Sequence, residues 1–139
     1  MAYGINDVIA ELRAIAVATP KAPPLPNDVL LDEYEEEVGF SFPKDYRKFL
    51  KEASNLFVGT LEPLIVTDAR NVRGELSVAL TEARRVGLPQ DFLPICEDNG
   101  DYYCFAPDQS IRLWDHNGIS SEKWQNLATW IQEVWIEGH

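Results

Sequence analysis

Hydrophobic positions follow two different periods along this chain. Up to about residue 85, apolar residues mostly recur every three or four positions, the spacing of helices with one buried face, with a strand-like interruption at residues 57–66. Between residues 93 and 115, short apolar runs alternate with turn-forming residues, and the helical spacing returns near the C-terminus. The pattern predicts an α+β domain whose helices flank a mixed, mostly antiparallel sheet, in the order α-α-α-β-β-α-β-β-β-α.

The first three predicted helices have recognisable ends. Asn6 is the expected N-cap of the first helix and Asn27 or Asp28 that of the second, because short polar side chains accept hydrogen bonds from free amides. Gly39 is placed to end the second helix, and Pro43 suits the first turn of the third. The predicted buried stripes are Val8, Ile9, Leu12, Ile15 and Ala16; Leu30, Leu31, Tyr34 and Val38; and Tyr46, Phe49, Leu50 and Ala53.

Two further helices and two short strands are predicted from the same kinds of signal. Residues 57–58 and 64–66 are expected to be the first strands of the sheet, and Asp68 to cap a fourth helix. Ser120 or Ser121 is the expected cap of the last helix. The fourth helix would bury Val72, Leu76, Ala79, Leu80 and Ala83, and the last would bury Trp124, Leu127, Ala128, Ile131, Val134 and Trp135.

Three consecutive strands are predicted at residues 93–97, 102–106 and 111–115, the first two joined by Asn99-Gly100. Asn-Gly between apolar runs is a strong hairpin signal because a type I′ turn needs two positive φ angles. The runs are apolar on both faces, which predicts a sheet covered on each side.

The two cysteines, Cys96 and Cys104, both lie on this predicted hairpin. A two-residue turn pairs position 96 with 103 and places the two thiols on opposite faces, whereas a three-residue loop would oppose them. A cytosolic setting favours two buried, reduced thiols, and their spacing matches no common zinc motif.

Length and charge narrow the classes of protein. The chain has 139 residues, enough for one core, so residues 1–139 are expected to form a single domain. A formal net charge of −11 argues against a nucleic-acid partner, because phosphates are neutralised by clustered Lys and Arg, and favours a basic protein partner. No apolar run approaches the ~20 residues that cross a bilayer, and the N-terminus lacks the features of a signal peptide. We therefore expect a cytoplasmic protein with no membrane partner.

Two segments together resemble a known family: residues 38–50 (VGFSFPKDYRKFL) and residues 93–105 (LPICEDNGDYYCF). They are similar to the SUKH superfamily, in which a helix ends in Gly, a Pro-Asp-Tyr helix start follows, and a strand, a Gly-Asp turn and a second strand come later. Residues 111–116 (IRLWDH) resemble the next strand, where an Asp-His pair is common. The positions that match the family are Gly39, Pro43, Asp45, Tyr46, Phe49, Leu50, Gly100 and Asp101.

The resemblance implies an α+β fold and a function. In bacteria such domains mostly act as immunity proteins, which bind and neutralise a toxin, often a nuclease, delivered by a neighbouring cell. The chain is therefore expected to be a non-enzymatic protein, without a cofactor, that binds a cationic toxin domain. The alternative is a regulatory or scaffolding module of the same fold, because both functions need the same core and differ only in the partner.

Acidic residues around the predicted hairpin tip supply the candidate binding site. Carboxylates also form acid/base pairs and metal sites, but residues 98–101 (DNGD) lack the spacing of a Ca²⁺ loop, so no catalytic or metal-binding residue is predicted. Turn aspartates also satisfy amides, and aromatic residues on central strands more often belong to the core. The expected partner-binding residues are Glu97, Asp98, Asp101, Tyr102, Trp114, Asp115 and His116.

A second acidic run, on the second predicted helix, competes with the hairpin tip as the partner surface. It comprises Asp32, Glu33, Glu35, Glu36 and Glu37, and its simpler explanation is a solvated helix face. Nine acids and two bases give the C-terminal part, from residue 86 onward, a net charge of −7, whereas fourteen acids and ten bases give the part before it −4. The sheet-bearing part is more uniformly negative, which favours the hairpin tip.

Overall fold

The computed structural model describes residues 3–17, 22–70, 72 and 74–138 and is an α+β domain, as the hydrophobic pattern predicts. Its sheet has four antiparallel strands in the order β1-β2-β3-β4, and the last α-helix continues into a π-helical segment. The elements are α1 (Ile5–Ile15), α2 (Asp28–Val38), α3 (Lys44–Glu52), α4 (Leu76–Arg85), β1 (Leu93–Asp98), β2 (Asp101–Phe105), β3 (Ile111–Asp115), β4 (Gly118–Trp124), α5 (Leu127–Trp130) and the π-helical segment (Ile131–Ile136).

The predicted ends of α2 and α3 are confirmed. The side chain of Asn27 accepts a hydrogen bond of 2.9 Å from the amide of Leu30 and so caps α2. Gly39 ends α2 in the left-handed conformation, with φ of 77°, and Pro43 immediately precedes α3. The ends of these two helices can be predicted from the sequence because a capping side chain bonds an amide only a few residues away, and Gly and Pro each set a single φ angle.

The predicted caps of α1 and α4 are wrong. Gly4 occupies the N-cap of α1, so Asn6 lies inside the helix. Asp68 does not cap α4, which begins only at Leu76, because the preceding residue, Glu75, is drawn into the core and accepts hydrogen bonds there. Two residues of the predicted buried stripes are exposed: Val72, at 39%, which lies before the start of α4, and Ile15, at 46%, the last residue of α1.

Residues 57–66 bend at Gly59 and Thr60 and form single bridges rather than the two predicted strands. Phe57 bridges Val17, Pro63 bridges Cys96, and Ile65 bridges Glu75. A proline has no amide to donate to a ladder, which limits the pairing at position 63. The segment therefore follows the edge of the sheet without extending it.

The sheet gains a strand where the last helix was predicted to begin. Asp115 pairs with Gly118 across a two-residue turn, and Gly118 has φ of 114°, so residues 118–124 fold back along β3 as β4. Ser120 and Ser121 thus lie in a strand, and Asn126 is the cap of α5, accepting 2.9 Å from the amide of Thr129. The prediction of a serine cap is wrong because strand pairing outweighs the local helical spacing.

Both faces of the sheet are covered, as the apolar runs predict. The main core lies between one face and the helices α1, α2, α3 and α5, with fully buried Trp130 among its largest side chains. On the other face, α4 and the chain after it cover a second cluster, in which Cys104 is buried. The β1–β2 register pairs Cys96 with Tyr103, as a two-residue turn predicts. Cys96 therefore lies in the main core and Cys104 in the second cluster, and both thiols are free.

Within the described part of the chain, no helix has the length and apolar character required to span a membrane.

Candidate partner-binding surface

Three aspartates lie in a row across one end of the sheet. Asp98 and Asp101 face each other directly across the first hairpin, on either side of its turn. Tyr102 pairs with Trp114 on the next strand, so Asp101 and Asp115, the residues that follow these two towards the tip, lie at the same end of their strands. Like charges directly opposite each other destabilise a sheet, so the Asp98–Asp101 pair costs stability and this row is a candidate for binding.

Hydrogen bonds within turns account for some of the acids at this end of the sheet. Glu97 accepts a hydrogen bond of 3.1 Å from the amide of Gly100, and Asp115 accepts one of 2.7 Å from the amide of Asn117. Asp98 accepts 3.3 Å from the side chain of Asn99. Turn amides therefore account for Glu97 and Asp115, whereas Asp98 accepts from a neighbouring side chain and not from a described turn amide. Each of these carboxylates still has an oxygen that a partner can contact.

In the described structure, no ion pair involves Glu97, Asp98, Asp101 or Asp115. Lys123 pairs instead with Asp108, at 3.3 Å. Arg112 donates to the backbone carbonyls of Ser120 and Glu122, at 2.8 and 3.1 Å. Both bases of the C-terminal part are therefore engaged elsewhere, and the acids of the tip have no ion pair with a base in the part of the chain that the structure describes.

The uncompensated charge also acts on a neighbouring buried thiol. Burial raises the pKa of Cys96 to about 12, and the carboxylates of Asp98, Glu97 and Glu62 add to the effect. Glu62 belongs to the segment that follows the edge of β1, so it contributes to the same negative region. Its position next to the hairpin acids follows only from the fold.

The acids of α2 present a different surface, because most of them are paired. Their basic partners lie on α3 and in the chain after Val66. In the described structure, Glu36 is the one acid of α2 without such a pair. The pairs and their N–O distances are Arg47 with Asp28 (2.9 Å), Asp32 (3.1 Å) and Glu35 (3.1 Å), Lys51 with Asp28 (3.0 Å), and Arg70 with Glu37 (2.7 Å) and Glu33 (3.9 Å).

The two aromatic candidates, Tyr102 and Trp114, belong to the second core cluster. Each is only 5% exposed, and their ring centroids are 6.2 Å apart in a tilted arrangement, with Ala83 and Leu88 in the same cluster. In this conformation the rings support the sheet and are covered from a partner, which is the role that central-strand aromatics usually have. His116 is exposed in the turn between β3 and β4.

A groove of about 590 Å³ lies beside the hairpin tip and was not predicted. Its lining comes mostly from residues 54–57 and 60–65, and from residues 97–99 of β1 and its turn. Leu56 and Leu61 supply apolar surface, while Glu62 adds a third carboxylate to those of the hairpin. None of the described residues that line it is basic. The sequence indicates this groove only through the apolar residues of the segment 57–66, which were predicted to form strands.

In the part of the chain that the structure covers, no three His, Cys, Asp or Glu side chains are grouped as metal ligands would be.

Comparison with known proteins assigns the fold to a family. The model of the family SUKH_5, described as SMI1-KNR4 cell-wall, matches residues 5–136. The chain belongs to the SUKH superfamily. A crystal structure of a protein from Pseudomonas syringae pv. tomato shares 32% sequence identity and a TM-score of 0.88, over 95% of this SUKH chain and 98% of that chain. None of the curated proteins matches the sequence.

The positions that resemble the SUKH pattern mostly support the fold. Gly39 ends α2, Gly100 has φ of 90° in the hairpin turn, and Tyr46 and Phe49 are buried on α3. Of the residues proposed to bind a partner, Asp101 is a matching position, and Asp115 and His116 form the Asp-His pair of the third resembling segment. SUKH membership therefore establishes the core of this protein, while its binding surface has to be argued from charge and shape.

Proposed function

We propose that this SUKH domain is an immunity protein that binds and neutralises a basic toxin domain, with no catalytic residue or cofactor of its own. The observation that supports it most is the row of uncompensated acids, Asp98, Asp101 and Asp115, at one end of the sheet. A toxin that cleaves nucleic acid needs a cationic surface to hold phosphates, and an acidic protein can cover that surface by complementary charge. The site of action is the cytoplasm of the protected cell.

The distribution of paired and unpaired acids explains how this protein would recognise a cationic toxin. Because the acids of α2 are already paired by Arg47, Lys51 and Arg70, they attract a cationic partner less than the unpaired acids of the sheet do. A cationic toxin is therefore steered towards the hairpin end, and such steering mainly raises the association rate. Covering the toxin's cationic surface then excludes its nucleic-acid substrate.

The first test takes any toxin domain that the genes flanking this one encode and co-expresses it with this protein. We expect the two chains to co-purify as a one-to-one complex, and expression of this protein to restore growth to cells that produce the toxin domain. Failure of the wild-type protein both to bind and to rescue would rule out immunity against that toxin.

A second test locates the contact surface. The double variant Asp98→Lys/Asp101→Lys should slow association with the toxin domain about tenfold or more at low salt and weaken its salt dependence, as measured by stopped-flow kinetics. The matched control is Glu11→Lys/Glu36→Lys, which makes the same change in net charge at exposed helical positions. Equal slowing by both variants would mean that total charge matters and that the hairpin is not the contact surface.

A further inference from the structure

We propose that the groove beside the hairpin tip holds an extended segment of the partner in which basic and apolar side chains alternate. The inference rests on the proposed function and specifies which kind of segment the immunity protein contacts. Its basis is the combination of an apolar wall, a carboxylate rim and an unpaired strand edge within one groove.

The apolar wall indicates that part of the occupant is hydrophobic. Leu56 and Leu61 line the groove, and Phe57, also in its lining, leaves 37% of its surface exposed. Val17 forms a β-bridge with Phe57, in which its amide donates a hydrogen bond of 2.8 Å to the Phe57 carbonyl. Because Val17 is 67% exposed, apolar surface continues from the groove onto this residue. A volume of about 590 Å³ is within the range of pockets that bury small ligands, and it suits a few large side chains.

The rim indicates that the occupant is also cationic. Glu62, Glu97 and Asp98 all line the groove, and none of them has an ion pair with a described basic residue. An apolar peptide without charge would leave these carboxylates unpaired and partly desolvated, which disfavours binding. Lysine or arginine side chains between the apolar ones would pair with the carboxylates and still allow the apolar contacts.

The edge of β1 indicates that the occupant is extended. On the side away from β2, the amide of Leu64 donates 2.8 Å to the Ile95 carbonyl, and Pro63 bridges Cys96. Beyond Cys96, residues 97–99 form no bridge on that side with any described residue. A free strand edge pairs with an added strand, whose successive side chains point to opposite sides, so that its apolar side chains can face the apolar wall while its basic side chains face the carboxylates. Glu97 and Asp98, which lie on this free edge, are also two of the three carboxylates that line the groove.

A smaller groove at the start of α2 offers a weaker alternative. Its volume is about 190 Å³, and one of its two carboxylates, Glu33, is near Arg70. It therefore has less space and less uncompensated charge than the groove beside the hairpin.

The first experiment tests the groove without the toxin. Isotope-labelled protein is titrated with the peptide acetyl-Lys-Leu-Lys-Leu-Lys-amide, and amide chemical shifts are followed by NMR. We expect shifts confined to the groove wall and residues 97–99, and no such shifts with the control peptide acetyl-Glu-Leu-Glu-Leu-Glu-amide. Shifts centred on α2, equal shifts with both peptides, or none at millimolar peptide would overturn the inference.

The second experiment uses the toxin domain and paired variants. Phe57→Ala/Glu62→Lys should raise the dissociation constant about tenfold or more, because it removes one apolar and one charged contact. The control, Val86→Ala/Glu11→Lys, makes a smaller apolar truncation and the same charge change at exposed positions outside the groove, and should shift the constant less than about twofold. Thermal unfolding of each variant checks that the fold is retained.

The outcomes separate the two proposals. If the wild-type protein binds and rescues but the groove variant behaves like its control, the groove inference is wrong and the immunity proposal stands. If the wild-type protein neither binds nor rescues, the immunity proposal fails for that toxin, and the peptide titration still decides whether the groove takes a cationic extended segment.

Discussion

At the scale of single residues, the least expected feature is a buried carboxylate at the start of α4. Glu75 is fully buried; one of its oxygens accepts from the hydroxyl of Tyr34, and the other accepts from the amide and hydroxyl of Thr67, at 3.0 and 2.6 Å. The Tyr34 hydroxyl in turn accepts 2.5 Å from the amide of Ser77. Burial raises the pKa of Tyr34, and its hydrogen bond to Glu75 adds to the effect. The network joins α2 to the beginning of α4.

Removing this carboxylate should destabilise the protein strongly. Glu75→Ala leaves the hydroxyls of Tyr34 and Thr67 without an acceptor, and each buried donor left unsatisfied costs about 1–3 kcal/mol, so we expect a loss of about 3 kcal/mol in the free energy of unfolding. Glu75→Gln keeps one acceptor oxygen and should lose less. Urea unfolding at pH 7 measures both, with Glu36→Ala as the exposed control that should match the wild type. A Glu75→Ala protein as stable as the control would contradict the role of the network.

At the scale of elements, the C-terminal part shows how pairing overrides local pattern. The sequence around Ser120 offers a residue suited to an N-cap, followed by apolar residues at helical spacing. In the structure, however, Ile119 pairs with Trp114 and Lys123 pairs with Arg112 across β3 and β4. The ladder is irregular between Arg112 and Trp114, and the Arg112 guanidinium donates there to two β4 carbonyls. The helix is thereby delayed to α5.

This assignment predicts which cap matters. Asn126→Ala removes the acceptor for the Thr129 amide and should lower the free energy of unfolding by about 1 kcal/mol, the usual contribution of an N-cap. Ser121→Ala, at the cap predicted from the sequence but now in an exposed part of β4, should have no measurable effect. Guanidinium unfolding followed by tryptophan fluorescence distinguishes the two. A larger loss for Ser121→Ala than for Asn126→Ala would mean that the helix starts earlier.

At the scale of the whole molecule, the net charge of −11 is unevenly neutralised. Arg47 on α3 is 21% exposed and contacts three carboxylates of α2, so these two helices share a surface of mixed charge. The hairpin end of the sheet has no comparable base in the described structure. The unpaired acids of the hairpin end are the physical basis of the proposed binding mode.

The mixed-charge surface should contribute to stability in a salt-dependent way. Arg47→Ala removes a network that links α2 to α3 and should lower the free energy of unfolding by about 1–2 kcal/mol at low salt. The loss should shrink at about 1 M NaCl, where the Debye length falls to about 3 Å. Arg85→Ala, which removes a pair with Glu82 on the same helix, is the control and should change little. A loss that does not depend on salt would point to lost packing rather than charge.

Several features of this protein follow from local rules, and these were predicted. Asn27 satisfies an amide three residues away, Gly39 adopts one left-handed φ, and Asn99-Gly100 adopts two positive φ angles. None of these depends on distant parts of the chain. The α+β class, the helices α2 and α3 and the first hairpin therefore follow from short windows of sequence, and the acids of the hairpin tip were identified with them.

The features that the sequence left open depend on residues far apart in the chain. The burial of Glu75 depends on Tyr34 in α2, and the bridge at Pro63 depends on Cys96 in β1. Likewise, the choice between the two acidic surfaces depends on bases such as Arg47, which reach α2 only after folding. Acidic charge is a property of the chain, but whether it is neutralised, and whether a groove opens beside it, is decided by which side chains the tertiary structure brings within a few ångströms.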